Sequence, residues 1–119
     1  MSTLILSRDG WRAAICEMVL TFAVMLVILM TAQEQAAVGK QAALAVGFVV
    51  AACGFAAGPI SGASMNPART IAPQLLAGEF GNVWIYIAGP LLGAALAVGV
   101  HTLLSGPPSK GARKAATGK

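Results

Sequence analysis

The chain has 119 residues, of which 57% are hydrophobic and only 10% charged, with a mean hydropathy of +0.78. Soluble proteins carry about 25% charged residues, and a domain this small needs a mostly polar surface that these residues cannot make. A soluble enzyme, a disordered tail and a nucleic-acid module are excluded, and the sequence reads as an all-α membrane protein.

In chain order, residues 1–12 are too short, and Arg8 and Asp9 come too late, for a cleavable leader. They read as an external N-terminal segment. Residues 13–31 are apolar apart from Glu17 and Thr21, and residues 42–60 hold no ionisable side chain except Cys53. Residues 83–104 carry Tyr86, His101 and Thr102 as their polar side chains. At about 1.5 Å of rise per residue each stretch covers the ~30 Å hydrocarbon core, which predicts three membrane-spanning helices. Trp11 and Trp84 stand at span ends, where interfacial aromatics belong. His101 reads as an interfacial or packing histidine near the far end of the third span.

Small residues recur at four-residue spacing as Gly54, Gly58 and Gly62, and again as Gly89, Gly93 and Ala97. Each set lies on one helical face and permits close backbone approach. Pro59 and Pro90 should break or kink their helices. Cys16 and Cys53 lie in apolar runs without CxxC spacing or a nearby histidine, so they read as packing residues rather than a zinc or disulfide framework.

Between the second and third spans runs SGASMNPARTIAPQLLAGEFGN, residues 61–82. It is too polar to span and too apolar for an ordinary exposed loop. Asn66 reads as an N-cap and Pro67 as the first helical residue, where its missing N–H costs nothing. Gly78 reads as the stop. A helix over 67–77 would be about 16 Å long, half the hydrocarbon core, so a re-entrant half-helix is expected. Residues 61–65 are expected to be non-helical, and such backbone at membrane depth is tolerated only when buried in protein or lining water. Met65 reads as packing. An aqueous pathway follows.

Orientation comes from the basic residues. Three spans put the C-terminal tail, residues 105–119, on the same side as the 32–41 connection. Lys40, Lys110, Arg113, Lys114 and Lys119 gather there, against Arg8, Arg12 and Arg69 on the other side. The tail is expected to be cytoplasmic and solvated rather than a nucleic-acid site.

GPISGASMNPAR, with an apolar helix before it and WIYIAGPLLGAALA after it, resembles the second half of the aquaporin/glycerol-facilitator family (major intrinsic proteins). The likeness runs from about residue 11 to 104, and an Asn-Pro-Ala-Arg tetrad followed by a Gly-Pro-x-x-Gly-Ala helix is a specific combination. It implies one repeat of a passive channel for water or small neutral solutes such as glycerol, with no covalent chemistry, metal or cofactor. Residues 13–104 would form that half-domain, in the cell membrane. Family members carry two such halves in inverted orientation, so a first repeat or a second subunit is the implied partner, and a homotetramer the implied assembly.

By the same resemblance, Asn66 donates to solute at the pore centre, with Pro67 and Ala68 completing its motif. Arg69 is the selectivity-filter arginine, Gly54 and Ala63 occupy two further filter positions, and the carbonyls of Gly62, Ala63 and Ser64 accept from solute. Glu17 matches a glutamate that braces this stretch by accepting backbone N–H bonds, and a carboxyl in mid-span needs some such partner. Two other readings remain open. A small proton-coupled drug exporter would need four spans and an essential Glu17, and would give the residues 66–69 no role. A non-conducting remnant or assembly partner is the other.

Overall fold

The computed structural model describes residues 10–33, 39–78 and 80–106. Its helices are α1 (Gly10–Gln33), α2 (Gln41–Ser61), α3 (Pro67–Ala77) and α4 (Val83–Ser105). α1, α2 and α4 have 24, 21 and 23 residues. At about 1.5 Å per residue each exceeds the ~30 Å hydrocarbon core. All three are long and apolar enough to cross a membrane. The chain is an all-α membrane protein, with three spanning helices and one half-helix among the described residues.

Helix ends depart from the apolar windows. Within the described residues α1 covers Gly10–Gln33 and so extends past the 13–31 window on both sides, because backbone hydrogen bonds continue past the last apolar side chain. Trp11 and Arg12 therefore belong to α1, and the Arg12 guanidinium lies over the Trp11 ring, 5.4 Å from its centroid. α2 includes Ser61, which was expected to be non-helical; Gly62 at φ 82° ends it, donating to the Gly58 carbonyl at 2.9 Å. Glycine takes that left-handed conformation without a Cβ penalty. Of the break or kink expected at Pro59 and Pro90, neither proline makes a break: each stands inside a continuous helix. Residues 1–9 and 107–119, which hold most of the cations used for orientation, lie outside the described residues.

α1 is the centre of the assembly. It packs chiefly on α4 and also on α2, while α3 contacts α4. Lipid tails are as apolar as leucine, so no hydrophobic force drives spanning helices together and close packing must hold them. Gly89, Gly93 and Ala97 supply it on α4, all buried. A Cβ added at Gly89 would come within 2.9 Å of the Ala14 carbonyl oxygen, and one at Gly93 would overlap the Met18 carbonyl oxygen. The Gly54 and Gly58 positions of α2, at the same spacing, have open space where a Cβ would stand.

Two apolar clusters flank this seam. One joins Ala13 of α1 to Ile85 and Tyr86 of α4. The other joins Leu20, Cys53, Ala57 and Ala63, with Cys16, Val24, Val49 and Met65 packed against it. Elsewhere large apolar side chains face outward, Phe48 at 76% and Phe55 at 89% exposed among them. In a membrane those faces meet lipid or another helix.

Candidate functional site: a half-helix and the stretch that feeds it

α3 starts where local chemistry says it must. Asn66 has extended backbone angles, and its side-chain oxygen accepts the Ala68 N–H at 2.9 Å. Pro67 takes the first helical position. Gly78, left-handed at φ 69°, ends the helix and donates to the Gln74 carbonyl. These are the N-cap, first-turn proline and glycine stop of a helix about 16 Å long.

The stretch from Gly62 to Met65 cannot hold its shape alone. Ala63 at φ 46° and Met65 at φ 51° are non-glycine residues in left-handed conformations, each at a cost of about 1–3 kcal/mol that surrounding contacts must offset. Glu17 of α1 supplies them. It is fully buried, and its Oε1 accepts from Ser61 Oγ at 2.7 Å and from the Ser64 N–H at 2.9 Å. Its Oε2 accepts the Met65 N–H at 2.7 Å. Ser61 Oγ in turn accepts the Ala63 N–H at 3.2 Å. One carboxyl and one hydroxyl thus satisfy three consecutive backbone donors.

Two further groups complete the network. Tyr86 of α4, 2% exposed, donates its hydroxyl to the Ser61 carbonyl at 2.8 Å. Ser64 Oγ donates to the Asn66 carbonyl at 2.8 Å and accepts from Thr70 Oγ1. Sequence reasoning did not single out Ser61, Thr70 or Tyr86 for this site. The signal for Tyr86 was present: it is the chain's single tyrosine, and a phenol inside an apolar span needs a partner for its hydroxyl.

An open-sided recess of about 120 Å³ lies beside these residues, lined by Ser61, Gly62, Ser64, Arg69, Thr70, Pro73 and Tyr86. It brings together Gly62, Ser64 and Arg69 of the sequence-derived candidates. Asn66, Ala68 and Arg69 are exposed at the start of α3, and Pro67 is half-buried. Gly54 and Ala63 do not line the recess. Ala63 is 5% exposed, its methyl group packed with Leu20, Cys53 and Ala57, and Gly54 sits on α2 with open space beside it. His101 is half-buried, with Nε2 enclosed and without a hydrogen-bond partner among the described residues.

A polar helix start, a buried carboxyl bracing the turn before it and an exposed guanidinium, all at the level of spanning helices, can attract and orient small neutral molecules. The family model of the major intrinsic proteins matches residues 4–101. A probable aquaporin of the TIP type, RB7-18C from Nicotiana tabacum, is 42% identical over 106 residues, covering 81% of this chain and 42% of the relative. The putative aquaporin NIP4-1 of Arabidopsis thaliana is 44% identical over 93 residues, covering 78% and 33%. Aquaporin NIP1-3 of Oryza sativa subsp. japonica is 46% identical over 88 residues, covering 74% and 31%. The chain thus spans between 31% and 42% of the length of these relatives. No solved structure matches it.

Proposed function

The chain belongs to the major intrinsic protein family, and on that premise we propose that it supplies one half of a passive pore for water and small neutral solutes. The observation that carries this reading is α3. It is too short to span, and its capped N-terminus leaves Asn66, Ala68 and Arg69 exposed among three helices that do span. A helix begun and ended inside a membrane needs a water-lined or protein-lined place to be.

The proposed roles follow from what each group can donate or accept. The Asn66 side-chain oxygen is spent on the Ala68 N–H, which leaves its NH₂ to donate to a passing oxygen. The positive end of the α3 dipole reinforces that preference and repels cations. Arg69 adds fixed donors and an electrostatic barrier to protons and cations. The carbonyls of Gly62, Ala63 and Ser64 offer acceptors along the approach, and Glu17 holds that backbone in shape. No bond in the solute is made or broken, so this is a channel role and not an enzymatic one.

The other half of the pore would come from a first repeat, in a longer protein or a second chain, meeting this one N-terminus to N-terminus. Several such pores would assemble as a tetramer. The exporter reading calls for four spans, against three among the described residues, and leaves residues 66–69 without work. A non-conducting assembly partner is the reading that the flux experiment closing the Discussion separates from a pore.

We place the pore in the cell membrane with the C-terminal tail and the connection holding Lys40 cytoplasmic. In a background with Cys16 and Cys53 replaced by alanine, Ser109→Cys should resist a membrane-impermeant maleimide applied to intact cells, whereas Asp9→Cys should react. Labelling of the tail from outside would reverse the orientation.

Solute size follows from Gly54 and Ala63, the two further filter positions that the family resemblance implies, neither of which lines the recess that holds Arg69. Gly54 has no side chain and open space beside it, and Ala63 carries a methyl group. Neither adds bulk beside Arg69, so glycerol- and urea-sized solutes should pass with water through the completed pore. Stopped-flow light scattering on vesicles holding the chain and a first-repeat partner should show shrinkage and then reswelling in a glycerol gradient. Water flux with no glycerol flux defeats this reading.

A further inference from the structure

An open-sided notch of about 140 Å³ follows the seam between α1 and α4, lined by Ala14, Ile15 and Met18 on one side and by Trp84, Ala88 and Leu92 on the other. No polar atom lines it. The two helices run parallel and level. A Cβ added at Gly10 would meet Ile85, one at Gly89 would meet Ala14 and Glu17, and one at Gly93 would meet Met18 and Phe22. Trp84, which walls the notch, therefore stands at the same end of the seam as Trp11, and both are more than half exposed. Trp11 lies one turn before Ala14 and Ile15 on the same face of α1, with the Arg12 guanidinium over its ring. Tyr86, which lines the recess beside Arg69, is two positions from both Trp84 and Ala88, and so on nearly the opposite side of α4. The notch faces away from the recess and from the start of α3.

We propose that this notch holds one acyl chain of an anionic phospholipid whose phosphate is bound by the Arg12 guanidinium. The order of groups along the seam is the order of groups in such a lipid. A guanidinium stands at the end, two indole rings come next, and an apolar notch runs inward from them. Exposed tryptophans at span ends lie at headgroup level. A guanidinium matches phosphate with two parallel N–H bonds, and stacking on Trp11 uses its flat face rather than its N–H edge. Below the rings, the side chains of Ile15, Met18 and Leu92 offer an acyl chain close contact and no hydrogen bond.

The site does not depend on the chain's conducting anything. An opposed half-helix has to meet α3 on the other side of α4, which leaves the notch to lipid or to a neighbouring subunit. A neighbouring subunit is the competing occupant, and it would shield both tryptophans from lipid.

Trp11 and Trp84 are the chain's two tryptophans, so its own fluorescence reports on this site without a label. The full chain is reconstituted in phosphatidylcholine vesicles that contain a minor fraction of phosphatidylglycerol brominated high on its acyl chains, and again with the same fraction of brominated phosphatidylcholine. Bromine quenches an indole that it touches. The expected result is saturable quenching with about a fivefold preference for the phosphatidylglycerol, the effect of one basic residue at an anionic membrane surface. Arg12→Gln should abolish the preference and leave quenching by phosphatidylcholine unchanged. Ala88→Leu, which fills the notch, should abolish the preference although Arg12 is still present, which a purely electrostatic attraction would not do. Should Ala88→Leu fail to fold by circular dichroism, Leu92→Ala strips contact surface from the notch without adding bulk and should reduce the preference. Equal quenching by the two lipids, or a preference that survives the notch variants, overturns the site. Absence of quenching by either lipid shows that protein covers the seam and overturns it as well.

Discussion

Glu17→Leu should unmake the stretch before α3 and with it the start of the half-helix. The substitution is close in size but removes the acceptor for Ser61 Oγ and for the Ser64 and Met65 N–H groups. Each buried donor left unpaired costs about 1–3 kcal/mol, so three of them cost on the order of 3–9 kcal/mol, comparable with the whole stability of a small domain. The left-handed backbone at Ala63 and Met65 loses its restraint in the same step. Glu17→Gln should fall between. Its carbonyl can take the two bonds made at Oε1, but its NH₂ faces the Met65 N–H, donor against donor. Limited proteolysis between Ser61 and Asn66, with thermal melts in detergent, should rank the chains wild type, Gln, Leu in decreasing resistance. A Leu variant as resistant as wild type would show that the carboxyl does not hold this backbone.

Gly93→Leu should separate α1 from α4. The clash is with backbone, the Met18 carbonyl oxygen first and the Phe22 nitrogen at 3.0 Å next, and no rotamer of the new side chain relieves it. Overpacking a tight seam costs about 1–3 kcal/mol and sometimes more, and here it also strips the close contacts that substitute for a hydrophobic force inside a bilayer. Gly93→Ala should already be harmful. Gly99→Ala, on the same helix with nothing within 4 Å of its added methyl, should be neutral. Thermal melts of the three variants check the order, and a Gly93→Ala chain as stable as Gly99→Ala would mean that the seam is loose.

Those two sites show what can be read from sequence. The spans were legible because an apolar window of membrane length has few other uses. The bounds of α3, Pro67–Ala77, were legible because Asn66, Pro67 and Gly78 act locally. Span ends were less so: Trp11, Arg12 and Ser61 are helical because backbone hydrogen bonding does not stop where hydropathy does. A carboxyl inside an apolar span announces that donors must exist, but not that Ser61 and Tyr86 join the network. Those contacts close over 44 and 25 residues and leave no periodicity. Nor could four-residue glycine spacing tell Gly89 and Gly93, which meet α1, from Gly54 and Gly58, which meet open space. Spacing fixes a face of a helix, while the neighbour on that face is decided by the rest of the fold.

The proposed pore function is tested most directly by water permeability in vesicles reconstituted with this chain alone, with a first-repeat partner alone, and with both. One half-helix leaves Asn66 and Arg69 exposed at the start of α3, where lipid cannot satisfy them, and an opposed half-helix completes the pathway. The predicted result is flux above empty vesicles only when both are present, lost again with Arg69→Glu. Flux from this chain alone, abolished by Arg69→Glu, would contradict the half-pore reading and show that two copies insert in opposite orientations. Absence of flux from the pair, with both proteins folded, would contradict the pore itself.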